Sequence, residues 1–167
     1  MKNKLAHFWR RHQAATPFRT ACIAGFGGAC AIGVLLGLSY VTDSLLLMAP
    51  FGATCVLLFS MPKSPMSQPI NVLLGHFLSS LVGLLMVYYF PGSGIGIALS
   101  VGLAIALMSV FRVTHPPAGA DPIVFAMSDF GWQHLFFPVI SGSLMLILLA
   151  WIMFKRTAIV YPLSVNR

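Results

Sequence analysis

The chain is expected to fold as an all-α membrane protein, a helical bundle made of two repeats. Three observations predict this. Of its 167 residues, 58% are hydrophobic and 8% charged, with a mean hydropathy of +0.90, whereas soluble domains carry about 25% charged residues. Apolar segments recur at about 18–41, 44–61, 69–90, 94–113, 115–129 and 133–154. A pattern of special residues also returns 67 positions later (117 − 50 = 67): Pro50, Gly52, Ala53 and Thr54 fall on Pro117, Gly119, Ala120 and Asp121.

The first segment follows a basic stretch, residues 1–17, expected on the cytoplasmic side. Lys2, Lys4, Arg10, Arg11 and Arg19 supply five of the ten basic residues at this end, and Lys155, Arg156 and Arg167 follow the last segment. Positive charge at the ends of membrane spans is an orientation signal, so the net charge of +7 argues for a bilayer and against a nucleic-acid partner. No small-residue cleavage site follows a short apolar run, so no removable signal peptide is expected. Gly25, Ala29, Gly33 and Gly37 make a stripe of small residues on this span, suited to close helix approach in lipid.

The second segment, 44–61, is barely long enough to cross. It is expected to break into an extended piece and a short helix, with Thr54 as N-cap. The third, 69–90, has the ~20 residues of a full crossing; its His76 reads as a helix-packing hydrogen bonder. The fourth, 94–113, repeats the first: Gly92, Gly96, Ser100 and Ala104 lie 67 residues after the first stripe. Arg112 at its end either snorkels to the interface or guards the mouth of a cavity. The fifth, 115–129, is short and polar. Proline disfavours helix in the residue before it, so His115-Pro116-Pro117 is expected to be extended. Gly119 then suits close backbone approach, and Asp121-Pro122 reads as a helix start. The sixth, 133–154, carries Gly142, 67 residues after Gly75. Trp9, Trp132, Trp151, Tyr40 and Tyr161 look like interfacial anchors.

One transmembrane domain, 18–155, is therefore expected, with halves at about 18–87 and 88–155 and a cytoplasmic tail at 156–167. Each half holds two full spans and one broken or re-entrant helix. Six crossings are favoured over four spans with two re-entrant loops. With six, all ten Lys and Arg residues are cytoplasmic and Asp43 and Asp129 are external, as the positive-inside rule prefers. Three crossings per half would make the halves inverted. Both termini are expected in the cytoplasm, and the chain in the plasma (inner) membrane.

The two broken segments carry the chemistry. Each is expected to place a helix N-terminus inside the protein, where free N–H groups and the dipole favour an anion. Candidate substrate-binding residues are Pro50, Gly52, Ala53, Thr54, Gln68, Thr114, His115, Pro116, Pro117, Gly119, Ala120 and Asp121. Asp121 is either a helix cap or a proton carrier. His115 is a ligand donor, a proton relay, or a bridge to carbonyls freed by the prolines. Cys22, Cys30 and Cys55 lack metal-ligand spacing, and the nine methionines form no cluster. No hydrolase motif occurs. Neither a metal, a cofactor nor an enzyme activity is expected.

The run Thr-His-Pro-Pro-Ala-Gly-Ala-Asp-Pro at 114–122, with Met-Ala-Pro-Phe-Gly-Ala-Thr at 48–54 and Ser-Pro-x-Ser-Gln-Pro at 64–69, resembles the HPP family of small integral membrane proteins. The resemblance covers roughly residues 18–155, and Gln68-Pro69 belongs to the same signature. It implies a carrier of a small inorganic anion, with nitrite the leading candidate, because some photosynthetic members are implicated in nitrite transport. The family is often described with four spans, which meets the present count if the broken segments re-enter. Some members add C-terminal CBS domains, and none is present up to Arg167. The expected function is thus a membrane transporter of a small monovalent anion, with proton coupling through His115 and Asp121. The alternatives are a passive channel and a non-transporting scaffold or partner subunit. A homodimer or other homo-oligomer is expected from the stripes.

Overall fold

The computed structural model describes residues 8–164, and the bundle is all-helical. Lys2, Lys4, His7 and Arg167 lie outside the described residues. Among the described residues the α-helices are, in order, α1 Phe18–Thr42, α2 Pro50–Ser60, α3 Pro69–Tyr89, α4 Gly94–Val110, α5 Asp121–Ala126 and α6 Ser141–Lys155. Short 3-10 turns at Pro65–Ser67, Pro116–Ala120 and Trp132–Leu135 join them. Phe18–Thr42, Pro69–Tyr89 and the run Trp132–Lys155 are long and apolar enough to cross a membrane. That last run departs from helix at Phe137 (φ −128°, ψ 108°).

The fourth segment is shorter than its apolar run. Its helix stops at Val110 after 17 residues, about 26 Å at 1.5 Å per residue. Arg112 takes a left-handed φ of 60°, which turns the chain back toward the bundle ahead of the proline pair. The second segment is helical only over 11 residues. The stretch before it, residues 45–48, has no regular structure, yet it buries Leu46 and Met48.

Glycines set the closest packing. A Cβ on Gly27 of α1 would meet Met153 Sδ at 2.6 Å and Phe59 Cδ1 at 2.7 Å. The early part of α1 and the ends of α2 and α6 therefore share one end of the bundle. Gly83, late in α3, packs against the start of α5, where an added Cβ would meet Pro122 Cα at 2.7 Å. Phe51, Leu58, Phe125, Val139 and Leu146 fill the core between these contacts.

The two small-residue stripes differ. Gly96, Ser100 and Ala104 of α4 are buried, with Met108, whereas Gly92 is exposed in the turn before α4. On α1 the buried row is Gly27, Ala31 and Leu35, whereas Gly25, Ala29, Gly33 and Gly37 are exposed. Among the described residues, then, no helix covers the first stripe. The anchors also divide: Trp9, Tyr40, Trp132 and Trp151 are exposed, but Tyr161 folds under α6, 5.9 Å from the Phe154 ring, and is buried. Its apolar ring completes that end of the core, and burial pushes its phenol pKa upward.

Candidate functional site: a buried histidine–threonine–histidine–aspartate chain

Pro50 opens α2 at its first position, where a missing N–H costs nothing. Thr54 therefore stands one turn inside α2 and is not its N-cap. Its hydroxyl lies 3.3 Å from the Pro50 carbonyl, 2.8 Å from His76 Nε2 and 3.0 Å from His115 Nε2. His76 comes from the middle of α3, and its Nδ1 lies 2.8 Å from Asp121 Oδ2. His115 is extended (φ −132°, ψ 101°), and its Nδ1 donates to the Met66 carbonyl at 2.8 Å. Ser80 Oγ donates to the same Asp121 oxygen at 3.1 Å. All five side chains are fully buried.

The local backbone differs from expectation in three places. Only His115 is extended; Pro116–Ala120 winds into a 3-10 helix, because the first positions of a helix do not need proline's missing N–H. That turn runs directly into α5, so Ala120 is already helical and Asp121 makes no capping bond. Its carboxyl is left to His76 and Ser80. Beside Gly119 the space is open, with no atom within 4 Å of an added Cβ. The start of α2 is also less open than expected of an anion cradle, since Phe51 N and Gly52 N already donate to Met48 O and Ala49 O.

One face of α3 seats the second broken segment. A Cβ on Gly75 would lie 2.6 Å from His115 Cβ and 3.2 Å from Val113 O. Ser79 Oγ donates to Ala118 O at 2.6 Å, and Asn71 Nδ2 to Thr114 O at 3.1 Å. Gly75, Ser79 and Gly83 recur every four residues. This small-residue stripe is the signal in the sequence that would have moved His76 and Ser80 into the site. The histidine rings stand edge to face at 4.9 Å, and Phe51 closes on His76 at 5.1 Å.

Among the described residues, no lysine or arginine is buried, and the basic partner of Asp121 is the His76 imidazole. Asp121 Oδ1 has no hydrogen-bond partner. Beside the chain lies an open groove of about 750 Å³, lined by Pro50 and Ala53 from one broken segment and Pro116, Pro117 and Ala120 from the other. Its remaining walls are mostly apolar, among them Met48, Ile123 and Phe130.

The family description "HPP, transmembrane region" matches residues 13–162. The chain belongs to the HPP transmembrane family. Two transmembrane proteins of Dictyostelium discoideum are similar to this HPP chain, one 39% identical over 118 residues (66% of this chain, 38% of that protein). The other is 38% identical over 112 residues, 62% and 39% of the two chains. The HPP chain thus spans under two fifths of the length of the curated relatives it matches. No solved structure matches it.

The HPP segment and its upstream counterpart thus meet through Thr54 and His115, which the sequence placed in one site, together with Asp121. Pro50, Ala53, Pro116, Pro117 and Ala120 share the groove. Others lie elsewhere. Gly52 lines a separate groove beside Gly25 and Gly33 of α1. Gln68 ties the turn before α3, with Nε2 donating to Pro62 O and Ser64 O and Oε1 accepting from Leu163 N. Thr114 contributes its carbonyl to Asn71, and Arg112 is exposed outside the groove lining.

Proposed function

We propose that this integral membrane protein is a transporter of a small monovalent anion, nitrite the leading candidate, working where the two broken segments meet. The observation that carries the reading is the buried chain from His115 to Asp121. Ionisable groups at membrane depth are costly and line solute or proton pathways, and paired discontinuous helices mark substrate sites in many secondary transporters. The groove walled by both broken segments supports the same place. Nitrite itself enters from the family resemblance. In this conformation the polar chain is closed off, so a substrate reaches it when the segments part.

Contacts support two inverted halves and six passages. Gly75 faces Val113 O, and Gly142 faces Leu46 O, with an added Cβ 3.2 Å and 2.6 Å from the two carbonyls; both pairs are related by 67 residues (142 − 75 = 67; 113 − 46 = 67). The third helix of each half thus grips the broken segment of the other. From this meeting point α2 runs toward the end holding Phe59 and Phe154, and α5 runs toward the opposite end, where Ala126 and Phe90 share a small cleft. Both termini then lie on the cytoplasmic side of the plasma membrane. A second copy of the chain is the partner that suits the open stripe of α1.

The test is nitrite uptake into proteoliposomes of purified protein, with and without an inward proton gradient. Saturable uptake is expected, increased by the gradient. The scaffold reading draws on one observation, that the polar chain is satisfied within the protein except at Asp121 Oδ1. No flux above empty vesicles for nitrite and a panel of small anions would establish it instead.

A further inference from the structure

Counting hydrogens along the buried chain shows that it holds one proton more than its separate groups would carry. Its four links are Met66 O to His115 Nδ1, His115 Nε2 to Thr54 Oγ1, Thr54 Oγ1 to His76 Nε2, and His76 Nδ1 to Asp121 Oδ2. Each link needs one hydrogen. A carbonyl has none to give, so His115 donates from Nδ1, and its neutral ring offers a bare Nε2. Thr54 has a single hydroxyl proton, and His115 Nε2 at 3.0 Å is a nearer acceptor for it than the Pro50 carbonyl at 3.3 Å. His76 Nε2 must then carry a proton to fill the third link. The fourth link needs a further hydrogen, on His76 Nδ1 or on Asp121 Oδ2. Whichever atom holds it, the chain as a whole is neutral.

Two neutral imidazoles, one hydroxyl and one carboxylate supply one proton too few. Thr54 would then face two bare ring nitrogens with a single hydrogen, and a negative charge would stand in the core. From α2 the cluster is faced by Thr54, from α3 by His76, Ser79 and Ser80, from the HPP turn by His115, and from α5 by Asp121. No buried lysine, arginine or second acid is present among the described residues to offset that charge, and an unmatched buried charge is strongly disfavoured.

We propose that His76 and Asp121 together form a proton-binding site, loaded in this conformation, and that the Thr54 hydroxyl reports its occupancy to His115. Loading adds one proton to His76 Nε2, and release breaks that N–H bond and returns the proton to water. Before loading, the Thr54 hydroxyl donates to His76 Nε2 and His115 Nε2 is unmet. After loading, it accepts from His76 Nε2–H and donates to His115. His115 precedes the two prolines that line the groove, so the hydroxyl's direction links proton load to the groove wall. The proposal deepens the transport reading but rests on it only for the use of the proton, not for its binding.

The test is nitrogen NMR of histidine-¹⁵N-labelled protein in lipid nanodiscs, titrated with pH in the absence of nitrite, with His76→Gln and His115→Gln giving the assignments. His76 Nε2 should be protonated, lose its proton in one step as pH rises, and move together with His115 Nε2. Asp121→Asn should abolish the step, because the amide donates to His76 Nδ1 and imitates the loaded acid. Thr54→Val should leave the His76 step and remove the movement at His115, and Thr54→Ser should restore it. A bare His76 Nε2 throughout the folded range, or an unchanged step in Asp121→Asn, overturns the proposal. Should Thr54→Val fail to fold, independent titration of the two rings in the wild type overturns the coupling. Co-titration without any anion flux would defeat the transport reading alone; flux without co-titration would defeat the proton site alone.

Discussion

The two broken segments share a geometry and divide the chemistry. Each passes a carbonyl close to a glycine of a distant helix, Leu46 O at Gly142 and Val113 O at Gly75. Each then enters a helix through proline, at Pro50 and at Pro116. The first segment gives the polar core a single hydroxyl, Thr54, and the second gives an imidazole and a carboxyl. The lesson is that backbone fit and reactive groups are separable. The fit recurs in both segments, whereas the ionisable groups stand on one.

The sharpest way to break the equivalence is at the glycines. Gly142→Ala should be the more damaging, because the new Cβ would run into the Phe51 ring and the Leu46 backbone. Overpacking of this kind costs about 1–3 kcal/mol or more. Gly75→Ala meets a carbonyl at 3.2 Å and the His115 Cβ, and should cost less. Thermal unfolding in detergent would rank them, and the reverse order would mean that the segments are held by different contacts.

Next comes the chemical asymmetry. Asp121→Ala strips His76 Nδ1 and Ser80 Oγ of their acceptor, and each buried group left unpaired costs about 1–3 kcal/mol. Thr54→Ala removes only one hydroxyl from the first segment, yet leaves both histidines facing a gap. Its cost should be smaller than that of Asp121→Ala and should fall further in Thr54→Ser. Equal losses at the two positions would show that the charge on the second segment is not what distinguishes it.

The smallest effects belong to the tethers. Ser79→Ala frees Ala118 O of the HPP turn, and Ser67→Ala frees Leu57 O and Met61 O at the end of α2. A typical hydrogen bond contributes about 0.5–1.5 kcal/mol, so both should shift the melting point modestly. Ser79→Ala should also slow anion uptake, since its partner lies in the segment that lines the groove; equal uptake in the two variants would count against that placement.

Much of this was legible in the residues. Apolar runs marked the helices, and Gly75 and Gly142, 67 residues apart, each approach a distant carbonyl. The site was half legible. Thr54, His115 and Asp121 stood in broken, polar sequence, where the eye goes. His76 did not: it sits mid-helix in an unbroken apolar span, and its partner Asp121 is 45 residues away. Periodicity names a helix but not which face meets which. The capping roles given to Thr54 and Asp121 failed for a local reason. Proline set each helix start earlier than the polar residue, at Pro50 and Pro116, and released both side chains for contacts across the bundle.

The unequal lengths of α1 and α4 carry a consequence for the surrounding lipid. At 25 and 17 residues, they measure about 38 Å and 26 Å along their axes, on either side of a ~30 Å hydrocarbon layer. A bilayer crossed by α4 would thin around it, and around α1 it would thicken or the helix would lean. With both helices crossing, the protein would sit in its membrane as a wedge. Acyl-chain length would then act on it from outside, and longer lipids would press hardest on α4, the helix whose turn at Arg112 leads into the HPP segment.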